Sequence, residues 1–259
     1  MRRWFFEQGP DILDHRATGF DAVESLYTMP CGYILLDHPT HINIIKRSLT
    51  RELKNVAGNL AQEVGHYLLE LWGCDIENWR EVEAWDTVMT LVTRTFNRIS
   101  VDRPLCESNP YLSNTRSYVS SIHAMSAIIR VLPRWVKPLM GRILSFPCWY
   151  YYWRGKRFAM PLIRKLLEEA GTPLEENSRF SNAPNVFVSW IIQDALRTKN
   201  MRDLQPETIY ARLMTMNFAG IHTSSFTTVN FLLDSPARPD IFNDVKGEVF
   251  RIYRQNNWT

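Results

Sequence analysis

The stretch from Pro206 to Ser235 constrains the fold more than any other part of the chain. Pro206 opens it with a fixed φ suited to a first helical turn, and the next proline is Pro236. About 29 residues at 1.5 Å each make a helix of about 43 Å, able to traverse a whole domain. A helix that is apolar nearly all round must be covered by neighbours. Its middle, Met216-Asn217-Phe218-Ala219-Gly220-Ile221-His222-Thr223-Ser224-Ser225, is a small-residue step followed by hydroxyls. Gly220 costs about 1 kcal/mol against Ala in a helix. Ser and Thr there can bond back to the carbonyl four residues earlier and bend the helix. A helix that weakens its own middle has a packing or functional reason.

Helical periodicity dominates the rest, and strand alternation is almost absent. Residues 1–36 read as irregular, with a weak helical stretch over Phe20 to Tyr27. Helices are expected from Pro39 to Lys54, Asn59 to Leu71 (stopped by Gly73), Arg80 to Ile99 and Tyr111 to Val131. Pro133 to Trp153, with three prolines, reads as a loop. Helices follow over Arg154 to Glu169, Pro184 to Thr198, the long 206–235 segment and Pro239 to Arg254. The expectation is an all-α chain: one irregular multi-helix domain, 1–259, built around the long central helix.

Apolar residues make up 45% and charged residues 22%, which suits a globular rather than a disordered chain. A net charge of +3, dispersed along the sequence, gives no footprint for nucleic acid. Four cysteines without close pairs argue against a zinc site or redox dithiol and predict free thiols. His38 and His41 stand three apart but have no Cys or carboxylate motif beside them, so no metal site is expected. No apolar run reaches the roughly 18 residues of a spanning helix. Met1 to Phe6 starts like a signal peptide, and Glu7 to Pro10 stops it.

The central segment resembles the oxygen-groove helix of the cytochrome P-450 superfamily, the haem-thiolate monooxygenases. The family pattern Ala/Gly-Gly-x-acid-Thr-Thr/Ser reads here Ala219-Gly220-Ile221-His222-Thr223-Ser224. Ile-His before the Thr is similar to the fungal secondary-metabolism branch. Three further stretches resemble that branch in the same order: His41 to Leu53, Arg94 to Cys106 and Pro184 to Ile192. The resemblance implies an incomplete cytochrome P-450-like fold, a haem cofactor, a hydrophobic small-molecule substrate of terpenoid or polyketide kind, O2, and an NADPH-dependent reductase. It also implies the cytoplasmic side of the endoplasmic reticulum. The chain as written reads as a central fragment, cytoplasmic as given, without the family's N-terminal anchor. Cys31, Cys74, Cys106 and Cys148 all lie outside anything like the Phe-x-x-Gly-x-Arg-x-Cys-x-Gly haem loop.

The resemblance assigns roles residue by residue. Thr223 would organise the water that carries protons to bound oxygen; its other reading is a Thr bonded to its own helix. His222 holds the acid position and can relay a proton near neutral pH, or can simply line the core or channel. Ala219 and Gly220 would leave room for the macrocycle and oxygen, or else serve close helix packing. Arg51 is the choice to pair a haem propionate over Arg47, four residues earlier on the same helix, with a solvated face as the plain alternative. Glu248-Val249-Phe250-Arg251 fits the family's Glu-x-x-Arg motif but follows Thr223 too closely, and reads as chance on a solvated helix.

Phe146, Trp149, Tyr150, Tyr151, Tyr152 and Trp153 form an aromatic run with Arg142, Arg154, Lys156 and Arg157 around it. Trp and Tyr favour a membrane–water interface, so Phe146, Trp149 and Trp153 are candidates for weak interfacial contact; packing on the core is the alternative. Two functions remain open from the sequence. One is a monooxygenase, inactive as this truncated chain; the other is a non-catalytic helical remnant or binding module that keeps the channel helices.

Overall fold

Prolines and glycines set the helix boundaries. The computed structural model describes residues 15–30, 32, 40–75, 77–101, 103–171 and 184–255, and these contain helices and no strand. Two short helices, α1 (His15–Ala22) and α2 (Ser25–Thr28), come first. α3 (Thr40–Ile44) passes through one π turn, Ile45–Leu49, into α4 (Thr50–Trp72). α5 (Ala84–Ser100), α6 (Asn109–Arg130), α7 (Lys137–Leu144) and α8 (Phe146–Gly171) follow. α9 is Phe187–Thr198, α10 is Pro206–Asp234 and α11 is Pro239–Gln255. Residues 1–14, with the signal-like start, and Cys31, His38 and Pro39 lie outside the described residues.

Two sequence expectations are corrected. The helices expected over 39–54 and 59–71 are one continuous run. Gly58 does not interrupt it, because a cost of about 1 kcal/mol is small against the ladder on either side. The run stops at Gly73, whose φ of 78° few other residues adopt cheaply. The expected loop over 133–153 is instead α7 and the first turns of α8. Pro138 and Pro147 are the second residues of those helices, where a missing N–H costs nothing.

α10 is the axis of the fold. It packs against α5, α6, α8 and α9, and α8 also lies along α6. Ile209, Tyr210, Leu213 and Met214 are buried at this junction, each contributing about 1.5–3 kcal/mol by burial. Two buried polar groups are paired across helices. Tyr210 Oη donates to the Tyr152 carbonyl at 2.7 Å, and Asn114 Nδ2 to the Tyr151 carbonyl at 2.9 Å.

This cover is uneven. From Thr208 to Asn217 every residue of α10 is buried, whereas beyond Gly220 only Ile221 and Ser225 are. α11 has no buried residue. It rests on the short 3₁₀ turn Ser235–Ala237 and brings Phe242 to 6.4 Å from Phe231. Phe226, Phe231, Leu233, Ile241 and Phe250 are exposed.

Candidate functional site

The hydroxyls in the middle of α10 bond back along their own helix. Thr223 Oγ1 donates to the Ala219 carbonyl at 2.6 Å, Ser225 Oγ to Ile221 at 2.7 Å and Thr227 Oγ1 to Thr223 at 2.9 Å. The helix runs unbroken through them. Ala219, Thr223 and Thr227, four apart, form one exposed strip. With its proton committed to the backbone, the Thr223 oxygen keeps acceptor capacity toward the open side. Gly220 faces elsewhere: a methyl group there would overlap the Phe96 ring of α5. At this position the missing side chain lets α5 approach α10.

His222 is not solitary. Its ring stacks on His123 of α6, centroids 3.9 Å apart and planes 26° from parallel. Trp85 of α5 meets it edge-on at 5.2 Å, and Phe218, one turn earlier on α10, stacks on His123 at 5.0 Å. His222 Nδ1 and His123 Nε2 are buried with no hydrogen-bond partner. Burial lowers the His222 pKa. Burial, and then the neighbouring His222, push His123 down to about 4. The sequence carries no local signal for His123, since only the crossing of α6 over α10 brings the rings together.

Arg51 and Arg47 lie apart from that cluster in their pairing. Arg51, largely exposed, reaches its neighbour Glu52 at 3.2 Å. Arg47, on the π turn, pairs with Asp194 of α9 at 3.3 Å. The buried cation of the fold is Arg212, which the sequence reading passed over. It is the one Lys or Arg between Pro206 and Asp234, and a lone cation in the interior of an apolar helix is a signal for a buried partner. Its Nη2 donates to Asp203 Oδ1 at 2.6 Å, and its Nη1 lies 3.2 Å from His41 Nδ1. Asp203 also accepts from Asn200 at 3.0 Å and Thr40 at 3.2 Å. Burial, and then the Arg212 charge, push His41 down to about 4.

The exposed strip of Ala219 and Thr223 carries short side chains, with the exposed Phe226 beside it. Among the described residues, the two buried thiols do not suit a haem iron. Cys106 and Cys148 are buried, and burial pushes Cys106 up to about 11 and raises Cys148. Both therefore stay protonated, whereas the thiolate is the metal ligand. Cys74 is exposed just past α4. Among the described residues no three His, Cys, Asp or Glu side chains cluster to hold a metal.

Phe146, Trp149, Tyr150 and Trp153 are exposed along α8, and Tyr152 is buried. Trp149 Nε1 donates to the Tyr27 carbonyl at 2.8 Å. Trp135, Leu139 and Ile143, before and within α7, are exposed as well. No helix of the described residues is long and apolar enough to cross a membrane. Glu248 and Arg251 sit 3.9 Å apart, both about two-thirds exposed, as a solvated helix face requires.

The Cytochrome P450 family profile matches residues 23–258. "Cytochrome P450 monooxygenase 151" of Postia placenta is 29% identical over 98% of this chain and 50% of its own length. "Cytochrome P450 monooxygenase htyF" of Aspergillus rugulosus is 27% identical over 92% of this chain and 35% of its own. "Cytochrome P450 monooxygenase gloP" of Glarea lozoyensis is 24% identical over 88% and 42%. The chain thus spans about half or less of the length of these fungal relatives, and no solved structure matches it. With a family match over nearly its whole length, and an all-helical fold around one long helix, the chain belongs to the cytochrome P450 family.

Proposed function

We propose that this chain carries the oxygen-facing part of a haem-thiolate monooxygenase acting on a hydrophobic small molecule of terpenoid or polyketide kind. Electrons would come from an NADPH-dependent reductase. The observation behind this is the exposed strip of Ala219 and Thr223 at the centre of α10. There a back-bonded hydroxyl stands on a surface that the rest of the domain leaves open. Haem, when bound, supplies oxygen binding and one-electron chemistry. Ala219, exposed and short, leaves room beside it. The Thr223 oxygen accepts a hydrogen bond and holds a proton-carrying water in place. His222, neutral near pH 7 through burial, has one ring nitrogen to accept and one to donate. Arg51, whose present partner Glu52 is a surface contact, is free to exchange it for a propionate. Phe146, Trp149 and Trp153 give weak interfacial membrane contact.

A non-catalytic binding module is the second reading, favoured by the two buried, protonated thiols. One experiment separates them. A chimera joins residues 1–259 to the remaining C-terminal part of the Postia placenta relative. After haemin loading, reduction and carbon monoxide, a thiolate-type Soret band is expected from the chimera and not from the chain alone. In the chimera, Thr223→Ala should divert reducing equivalents from product to peroxide. A chimera that folds but gives no such band would refute the monooxygenase reading.

A further inference from the structure

The fold gives His222 a partner. His123 comes from α6, and its ring covers both His222 and Phe218. Trp85 closes the third side from α5. Stacking fixes the plane of the His222 ring, and the Trp85 edge fixes its rotation. Close stacking of two imidazoles has a further effect. Two like charges this near each other oppose a second protonation, so the rings titrate as a unit. Each ring also carries one buried nitrogen without a partner, Nδ1 of His222 and Nε2 of His123. Buried polar atoms are rarely left unpaired, because each costs free energy. A purely structural stack would be served as well by Phe, which has no nitrogen to strand.

We propose that His123 is the positioning residue for His222, and that the stacked pair is a single relay element that accepts one proton between its two rings. This rests on the reading of His222 as a proton carrier beside Thr223. The surroundings leave the pair to itself. Asp86, next to Trp85 on α5, is held by Arg116 of α6. On α8, Lys156 reaches Glu207 at the far end of α10. On α9, Asp194 is taken by Arg47 and Arg197. Among the described residues no carboxylate or cation is a cause of the shift at either ring; burial acts on both, and His222 on His123.

The test needs no haem, so its outcome is independent of the Soret experiment. The ¹⁵N-labelled chain is titrated from pH 8 downward, and imidazole nitrogens are followed by long-range ¹H–¹⁵N spectra with assignment by single substitutions. In the wild type, both rings should be neutral at pH 6.5 and share one proton-uptake step. His222→Phe keeps the stack and removes its charge, so the His123 midpoint should rise by about one pH unit, a tenfold gain in proton affinity. His123→Phe should raise the His222 midpoint in the same sense. Two rings that do not share a proton would change melting temperature in the variants and leave the midpoints alone. Unmoved midpoints in both folded variants overturn the proposal. If neither variant folds, the wild type still decides: two independent single-proton curves near the ordinary histidine value overturn it, and a shared step supports it.

Discussion

The two halves of α10 are one helix in two environments. From Thr208 to Asn217 the chain is enclosed on every side, including a fully buried arginine. From Ala219 onward one face rests on α5 and α6 while Ala219, Thr223, Phe226 and Thr227 face outward. Composition does not explain the contrast, since both halves mix apolar residues with Thr. What differs is the neighbourhood. α8 closes over the first half, where Tyr210 meets Tyr152, whereas α11 leaves the end of the second half exposed. A continuous helix therefore need not be uniformly stabilised: the enclosed half holds the fold, and the open half presents its surface.

The largest expected effect tests that division directly. Arg212→Met keeps much of the side-chain volume but strands Asp203, which is 5% exposed. Breaking a buried pair from one side costs about 3–5 kcal/mol. Phe226→Ala, in the open half, should stay within about 0.5 kcal/mol. Urea unfolding measures both, and equal losses would erase the distinction between the halves.

Acid should act next. His41 and His123 are depressed to about 4, and His222 is depressed as well, from an ordinary value of 6.5. Between those values the unfolded chain binds more protons than the folded one. Stability is therefore fully present above about pH 6.5 and lost progressively as pH falls toward 4. Melting temperatures at pH 7.5, 6 and 5 should fall in that order. His41→Asn should flatten the trend more than any change at the exposed His66, and a pH-independent melt would contradict the buried-neutral assignment.

A smaller effect marks the border between the halves. Gly220→Ala should lose about 1–3 kcal/mol by overpacking against Phe96, although Ala is the better helix former. With Phe96→Ala present, the same change should gain about 1 kcal/mol from helix propensity. Additivity of the two substitutions would show that Phe96 yields without cost.

The smallest effect concerns the exposed aromatic side of α8. Trp149→Ser with Trp153→Ser should reduce co-sedimentation with anionic liposomes several-fold, since a Trp ring places its apolar body at an interface and keeps its N–H wet. Equal sedimentation of both proteins removes membrane contact from the proposal.

Much of this architecture was legible, and the failures share a cause. Pro206 and the run to Asp234 announced α10, and Gly73 announced the end of α4, because caps and breakers act locally. Pro138 and Pro147 misled for the same local reason. Proline stops a helix in its interior and starts one in its first turn, and only tertiary packing decides which. The site divides likewise. That Ala219 and Thr223 lie on one strip of α10 follows from their spacing of four within a single helix. His123 could not, because nothing around Ser121 to Ser126 refers to α10. Arg212 carried a readable signal, a charge in an apolar helix, but not the identity of its partners.

The contact between Arg212 and His41 joins positions 171 residues apart. Closing so long a loop is entropically expensive and comes before any reward from the contact. Chain growth presents His41 before Arg212, so the cluster of Arg212, Asp203 and His41 can close only once residue 212 has been made. Until α10 docks, the segment around His41 lacks this anchor, and its protection from proteolysis is expected to appear with that docking.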